Sequence, residues 1–259
     1  MRRKEPIMLF SNLLQTIADA FVPGRHYCPL CGNHSRFKPM VNDVESRKAA
    51  KCPTCGSFER HRFLYYVYKL HFLDSKSKIK VLHIAPERPI YNLLQGIGNI
   101  EYTTMDLHPR AFRFAKNIVK GDILHMPFGD EEFDFVLHNQ VLEHIGDEKA
   151  CIDECLRVLK PDGKCIMNIP YDNRRADNFE DERFTTAEQR KKHYYQEDHV
   201  RLYGKELLSK YEGQYNLCRL DENLFPPFFE RKLQMKRHSV FLQDAYYVIG
   251  KRFPEAEMK

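Results

Sequence analysis

Four cysteines near the start of the chain have the spacing of ligands in a tetrahedral metal site. Cys28 and Cys31 form one C-x2-C pair, Cys52 and Cys55 form a second, and a glycine follows each pair. A C-x2-C turn directs two thiolates toward one point, and the glycine after it permits a tight turn. Four thiolates suit Zn²⁺ and leave no open position for a substrate. The spacing therefore predicts a structural zinc, with two disulfides or four unrelated thiols as the alternatives.

Polar residues stand at the ends of four apolar segments farther along the chain. The segments are residues 79–84, 101–105, 133–137 and 164–169, and helix-like stretches separate several of them. Such alternation is typical of parallel strands covered by helices on both faces. Because ligands bind at the carboxyl ends of parallel strands, we expect the residues that follow these segments to share one edge of a sheet. Binding chemistry is predicted at that edge.

Composition and charge limit the class of protein. The chain has 259 residues, 42% of them hydrophobic, and a net charge of +5. These values suit a large domain with a small appendage, and from the mild charge we expect no nucleic-acid partner. No apolar stretch reaches the roughly 18 residues of a membrane span. The other four cysteines lie in apolar contexts, as in a reducing compartment, so we expect a cytoplasmic protein.

Three regions are predicted along the chain. Residues 1–24 have apolar side chains at helical spacing and form an amphipathic helix that packs on the body or in a homodimer, with membrane-surface binding as the alternative. Residues 25–74 form a zinc-ribbon-like module and a connecting helix with Ser57 as its N-cap. Residues 79–252 form the large α/β domain. Within it, residues 171–203 are long for a connection and are predicted to be a lid over the active edge.

Four blocks of the large domain resemble the class I S-adenosylmethionine-dependent methyltransferases, most closely the small-molecule branch that includes the ubiquinone and menaquinone enzymes. A strand followed by V-L-E-H, and a helix that ends in R-V-L-K-P-D-G, are the most specific features. The resemblance implies a doubly wound, Rossmann-like α/β sheet of seven strands, S-adenosyl-L-methionine as cofactor and a small-molecule acceptor. The four blocks are VLHIAPE (81–87), YTTMDL (102–107), GDILHMPFGDEEFDFVLHNQVLEHI (121–145) and CLRVLKPDGKCIMNIP (155–170).

The same resemblance assigns the cofactor to the loops that follow the predicted strands. Asp106 would accept two hydrogen bonds from the ribose diol, with Leu107 beside it. Asp122 would bind the adenine amino group, and Ile123 and Leu124 would contact the ring. The other cofactor-binding residues implied in this way are His83, Ala85, Pro86, Glu87, His138, Asn139 and Gln140.

The first of these loops departs from the family pattern. The family has glycines there, which allow the backbone to approach the cofactor, whereas this chain has Ala85 and Pro86. Proline fixes its own φ and can hold the turn rigidly. Glu87 is predicted to bind the methionine ammonium group, a role usually held by the acid of that loop. The missing glycines also leave open a degenerate, non-catalytic domain.

Methyl transfer from a sulfonium is an in-line displacement, so the protein must align three atoms, exclude water and accept a proton if the acceptor is a hydroxyl. His199 is the preferred candidate base, followed by His193 and His144, and a structural role is the alternative for each. The His, Tyr and Arg side chains of residues 171–203 suit a polar or anionic acceptor. The predicted reaction is O-methylation of a glycan or secondary metabolite.

Two other functions remain open from the sequence. One is an RNA methyltransferase whose zinc module grips RNA. Against it, the N/D-P-P-Y element of amino-group base methylators is replaced after the fourth strand by His138, Asn139 and Gln140. The other is a non-enzymatic zinc-containing binding protein, which would not bind S-adenosylmethionine.

Overall fold

The computed structural model describes residues 26–220, 225–237, 239 and 241–251. The amphipathic helix predicted for residues 1–24 lies outside them. The helices are α1 (Glu59–Tyr68), α2 (Arg88–Leu94), α3 (Glu148–Val158), α4 (Ala187–Tyr194) and α5 (Pro227–Leu233). The strands are β1 (His26–Cys28), β2 (Asn33–Ser35), β3 (Lys38–Val41), β4 (Ser46–Lys51), β5 (Ile79–Ile84), β6 (Ile100–Asp106), β7 (Val119–Lys120), β8 (Phe133–Asn139), β9 (Leu159–Asp172), β10 (Asn216–Leu220) and β11 (Leu242–Gly250).

Seven of these strands form one sheet in the order β10-β11-β9-β8-β5-β6-β7. Strands β5 to β9 are parallel, and β11 runs antiparallel between β9 and β10. The predicted seven-stranded, doubly wound α/β sheet is therefore confirmed. The strand order reverses at the neighbouring pair β5 and β8, and a crevice is expected outside the carboxyl ends of strands at such a point.

Both faces of the central strands β5 and β8 are largely buried, which explains why these two strands are mostly apolar. Val81 of β5 and Leu137 of β8 pack with residues of α1, α2 and α5 on one face. Leu82 and Val136, their neighbours in sequence, pack with residues of α3 on the other face. This alternation follows from the two-residue period of a strand. With both faces of the central strands covered, the loops that follow these strands at the carboxyl edge are the place where a ligand can reach the sheet.

Two β-hairpins, β1-β2 and β3-β4, precede α1; Cys28 and Cys31 lie in the first hairpin, and Cys52 and Cys55 lie in the turn between β4 and α1. Arg62 of α1 is fully buried and joins the hairpins to the C-terminal part of the chain. Its guanidinium group donates to the carbonyl oxygens of Ala50 (3.0 Å), Ser57 (2.9 Å) and Gln234 (2.6 Å). It also lies 4.4 Å from the centre of the Phe37 ring. Arg62 is thus committed to packing and does not face a substrate.

Candidate active site

The four cysteine sulfurs meet at one point between the hairpins. Cys28 Sγ lies 3.5 Å from Cys55 Sγ, Cys31 Sγ lies 3.8 Å from Cys52 Sγ, and all four sulfurs lie within 4.8 Å of one another. None of them forms a disulfide, which would need a separation of about 2.05 Å. A tetrahedral zinc with Zn–S bonds of about 2.3 Å places its sulfurs about 3.8 Å apart. The spacing of the thiols therefore fits a four-thiolate metal site.

The turns after both cysteine pairs have the backbone conformation that glycine favours. Gly32 has φ of +69° and Gly56 has φ of +78°, and each amide donates to the carbonyl of the cysteine that opens its pair, at 2.9 and 3.0 Å. Ser57 does not cap α1 as predicted, because Phe58 occupies the N-cap position. The buried Ser57 hydroxyl lies instead 3.2 Å from Cys28 Sγ and 3.3 Å from Cys55 Sγ, where it can donate to a thiolate.

The helix that follows these turns, α1, reaches the loop after β5, where the cofactor is expected. Arg60 donates to Glu87 Oε1 through Nε (3.0 Å) and Nη2 (2.6 Å), and His61 Nε2 lies 2.8 Å from the same oxygen. Burial raises the pKa of Glu87, but the charges of Arg60 and His61 outweigh it and hold this pKa well below its ordinary value. The other carboxylate oxygen, Glu87 Oε2, is buried without a hydrogen-bond partner among the described residues. Glu87 is thus held through Oε1, and Oε2 remains able to accept a hydrogen bond from a ligand.

The loop between β5 and α2 contains strained backbone where the family has glycine. Ala85 has φ of +49°, and its amide donates to Met105 O at 2.9 Å. Pro86 follows it and is buried. His83, at the end of β5, is fully buried with Nδ1 at 2.7 Å from the Tyr102 hydroxyl, and Nε2 has no partner among the described residues. Burial lowers the pKa of His83 to about 4, so the ring is neutral at pH 7.

Replacing Ala85 with glycine is expected to stabilise the protein. A left-handed residue with a Cβ costs about 1–2 kcal/mol, and the added freedom of glycine in the unfolded chain offsets about 0.5–1 kcal/mol of the gain. The free energy of unfolding should rise by about 0.5 kcal/mol in urea denaturation. Ala150→Gly within helix α3 is the matched control and should lower it by about 1 kcal/mol. A destabilised Ala85→Gly variant would contradict the strain.

The acids predicted to bind adenosine lie at the ends of β6 and β7. Asp106 Oδ1 accepts a hydrogen bond from His108 N at 2.6 Å, while Oδ2 has no partner among the described residues. Leu107 beside it is 48% exposed. Asp122 Oδ1 accepts from Leu124 N at 2.9 Å, and Ile123 is buried. Both carboxylates thus shape their own loop with one oxygen.

The side chains of His138 and Asn139, which end β8, and of Gln140, which follows it, point in different directions. His138 is buried within 4.8 Å of the Cys151 and Cys155 sulfurs, between the sheet and α3. Asn139 faces the opposite side of the sheet and donates to the Tyr68 hydroxyl at 3.4 Å. Gln140 has φ of +54° and turns the chain out of the strand, so that its side chain lines a cavity at the carboxyl edge.

This cavity has a volume of about 320 Å³ and is built from four distant parts of the chain. The turn between β3 and β4 contributes Glu45, the exit of β8 contributes Gln140 and Glu143, the insert 171–203 contributes His199, and the segment before β11 contributes Arg237. Arg237 is held by Glu45 at 2.5 Å. The insert thus lies over the edge of the sheet where the acceptor is expected.

Glu143 and two of the three predicted histidines come together at this cavity. Donor atoms of Glu143, His144 and His199 all lie within 4.8 Å of one another. The His144 and His199 rings are perpendicular, with centres 4.7 Å apart. His199 Nδ1 lies 3.1 Å from Tyr194 O, and its Nε2 is buried without a partner among the described residues. Burial lowers the pKa of His199 to about 4.

Sequence reasoning missed Glu143. Its side chain is 1% exposed, and neither carboxylate oxygen has a hydrogen-bond partner among the described residues. Burial raises the pKa of Glu143 to about 8. The signal that could have found it is the V-L-E-H motif itself, which places a carboxylate just past the end of a strand.

The structure places His193 away from this group. Its ring stacks on Phe184, with centres 4.0 Å apart and planes 6° apart. It is not among the residues that line the cavity. His193 therefore has the packing role that was the alternative for each histidine.

Known proteins match the part of the chain that carries this edge of the sheet. Residues 89–167 match a family model described as a methyltransferase domain. This stretch of the chain is thus similar to methyltransferase domains. The phosphoethanolamine N-methyltransferase 2 of Haemonchus contortus, solved with S-adenosyl-L-methionine, superposes with a TM-score of 0.50 at 14% identity, over 74% of this chain and 53% of that one. At that identity the match shows a shared fold.

Curated relatives match over shorter segments. The chain is 31% identical over 171 residues to the sterol 24-C-methyltransferase of Aspergillus fumigatus, covering 58% of this chain and 43% of that protein. It is 35% identical over 63 residues to a probable S-adenosylmethionine-dependent methyltransferase of Mycolicibacterium smegmatis, covering 24% of each. It is 38% identical over 80 residues to an uncharacterized protein of Methanocaldococcus jannaschii, covering 30% of this chain and 35% of that protein. The matches thus span less than half the length of these relatives.

No helix in the described part of the chain combines the length and the apolarity needed to cross a membrane.

Proposed function

We propose that this protein is an S-adenosylmethionine-dependent methyltransferase that O-methylates a small polar acceptor, such as a glycan or secondary metabolite. The observation that carries the proposal is the position of Gln140. It directly follows β8, the strand beside β5 and the loop where the cofactor is expected, and its side chain also lines the polar cavity. The expected cofactor loops and the expected acceptor cavity are therefore adjacent on one edge of the sheet.

The residues of the cofactor loops fit S-adenosylmethionine. Glu87 Oε2, buried and without a partner, suits the methionine ammonium group. The second oxygen of Asp106 suits the ribose diol, since the first already holds the loop. Ile123 offers a buried apolar contact for adenine, beside Asp122. When bound, the cofactor supplies a methyl group activated by the positive charge on its sulfur.

The acceptor side of the site supplies proton chemistry. Because the Nδ1 proton of His199 is directed to Tyr194 O, its Nε2 carries a lone pair that can take the proton of an acceptor hydroxyl. His144 Nδ1 lies 3.2 Å from Asp198 Oδ2, which fixes the ring beside His199. The insert 171–203 would exclude water as a lid. His199 is therefore the proposed base, with His144 as its neighbour and His193 set aside by its stacking on Phe184.

We also propose that Cys28, Cys31, Cys52 and Cys55 hold a structural Zn²⁺. The supporting observations are the separations of the four thiols and the absence of a disulfide among them. The metal would fix the hairpins and, through α1, hold Arg60 and His61 against Glu87. Thiols that stay reduced favour a cytoplasmic location, and a homodimer remains a prediction.

Calorimetry with S-adenosylhomocysteine tests the enzyme proposal. We expect one molecule bound per chain, and transfer of labelled methyl groups to hydroxyl acceptors such as sugars. Lack of binding at millimolar concentration would leave a zinc-containing binding protein. Labelling of RNA in preference to small acceptors would favour the nucleic-acid alternative.

A further inference from the structure

The carboxylate of Glu143 is buried without a hydrogen-bond partner among the described residues, which indicates a missing ligand. A buried carboxylate without hydrogen bonds is costly, so native structures almost always give it a partner or a metal. Neither Glu143 oxygen has a hydrogen-bond partner among the described residues. The nearby Arg201 does not serve it, because its guanidinium group donates to the carbonyl oxygens of Leu142 (3.3 Å), Ile145 (2.5 Å) and Gly146 (2.8 Å).

We propose that Glu143, His144 and His199 form a divalent-cation site at the wall of the acceptor cavity. Their donor atoms lie within 4.8 Å of one another, and Glu143 and His199 line the cavity. A cation with bonds of about 2.0–2.2 Å needs donors about 3–4 Å apart, which small side-chain rotations supply. One carboxylate and two imidazoles bind divalent transition metals and leave coordination positions open.

The surroundings of the two histidines orient them as metal ligands. A ligating imidazole usually directs its other nitrogen to a carboxylate or a carbonyl, which fixes its tautomer and orientation. His144 Nδ1 contacts Asp198 Oδ2 at 3.2 Å, and His199 Nδ1 contacts Tyr194 O at 3.1 Å. Both contacts leave Nε2 for a cation.

Backbone contacts hold the two ligand segments together. Val200 N donates to Glu143 O at 2.9 Å, which joins the residue after His199 to the turn that contains Glu143 and His144. Arg201, 3% exposed, ties that turn to the same segment through its three carbonyl contacts. The two backbone segments that carry the three ligands are thus held together before a cation arrives, and only the side chains need to rotate.

The cation site deepens the proposed function and rests on it for its role in catalysis. A cation there would favour acceptors that bind through oxygen, since Glu143 and His199 line the cavity that the acceptor is expected to enter. The acceptor O–H bond breaks and its proton passes to water. The oxygen electron pair forms the new O–CH3 bond, and the pair of the broken C–S bond stays on the sulfur, which becomes neutral. The cation would stabilise the negative charge that develops on oxygen, and with Nε2 bound to it His199 would act as a ligand in place of the base proposed above.

Titration of the purified full chain with Mn²⁺, followed by the electron paramagnetic resonance of free Mn²⁺, tests the site. Mn²⁺ prefers oxygen ligands such as the Glu143 carboxylate to soft thiolates, so it discriminates against the four thiols. One Mn²⁺ per chain is expected, bound about 100-fold more weakly in Glu143→Gln and His199→Ala. Glu188→Gln, exposed on α4, and His193→Ala, stacked on Phe184, are the matched controls and should bind it like the parent protein.

Two results would overturn the cation site: no retention of Mn²⁺ at millimolar concentration, or equal retention by the parent chain and by both ligand variants. An unchanged melting temperature of each variant would show that the loss of Mn²⁺ affinity is local. Glu143→Gln also keeps the shape of the side chain. Calorimetry with S-adenosylhomocysteine on the same samples separates the two proposals. If Mn²⁺ binds as expected and the nucleoside does not, the cation site stands and the methyltransferase proposal falls.

Discussion

Asp106→Asn is expected to weaken S-adenosylhomocysteine binding about 10- to 100-fold, because charge-assisted hydrogen bonds contribute about 1.5–3 kcal/mol. The asparagine keeps an oxygen that can accept from His108 N, the contact that shapes the loop. It loses the negative charge and replaces the second acceptor with a donor. The variant therefore separates cofactor binding from loop capping. Isothermal titration calorimetry measures the affinity, and thermal unfolding should be nearly unchanged.

Two further variants make this comparison sharp. Asp106→Ala removes both the charge and the loop contact, and it should lower the melting temperature as well as the affinity. Asp162→Asn removes an exposed carboxylate near the start of β9, at the other end of a parallel strand, and should leave the affinity unchanged. If Asp106→Asn binds the nucleoside like the parent protein, the ribose is not held at the end of β6.

Cys52→Ser is expected to abolish zinc binding and to lower the melting temperature by about 10 °C or more. Structural zinc contributes about 10–16 kcal/mol of apparent binding energy in small zinc peptides, and about 1 kcal/mol corresponds to 2–4 °C in a chain of this size. The hairpins have little other core, since their buried apolar cluster consists of Cys28, Phe37 and Cys52. Metal analysis and calorimetric unfolding measure the two effects.

The Cys52→Ser variant should also lose cofactor affinity. Arg60 and His61 begin α1 just after the cysteine turns, and they fix Glu87 Oε1 at 2.6 and 2.8 Å. If the turns loosen, Glu87 loses both partners. Cys218→Ser in β10 is the matched control and should keep the zinc, the melting temperature and the affinity. A parent protein that contains no zinc after purification, or a variant as stable as the parent, would contradict the structural metal.

Much of the fold followed from local patterns. The apolar segment predicted for residues 79–84 is β5 without a shift, and the segments at 101–105 and 133–137 lie within β6 and β8. Burial on both faces makes such strands continuously apolar, so their positions are visible in one dimension. The cysteine spacing similarly predicted a cluster that the tertiary structure forms, because a C-x2-C turn brings its two thiols together locally.

The amino-acid sequence by itself determined where the strands lie, which residues stand at their exits and which cysteines can share a metal. Only the tertiary structure decided which polar groups meet. Glu87 found partners in α1, Glu143 found none among the described residues, and His193 stacked on Phe184 while His199 reached the cavity. The physical reason is that apolar burial leaves a periodic trace along the chain, whereas the partner of a polar group depends on which distant segments fold together.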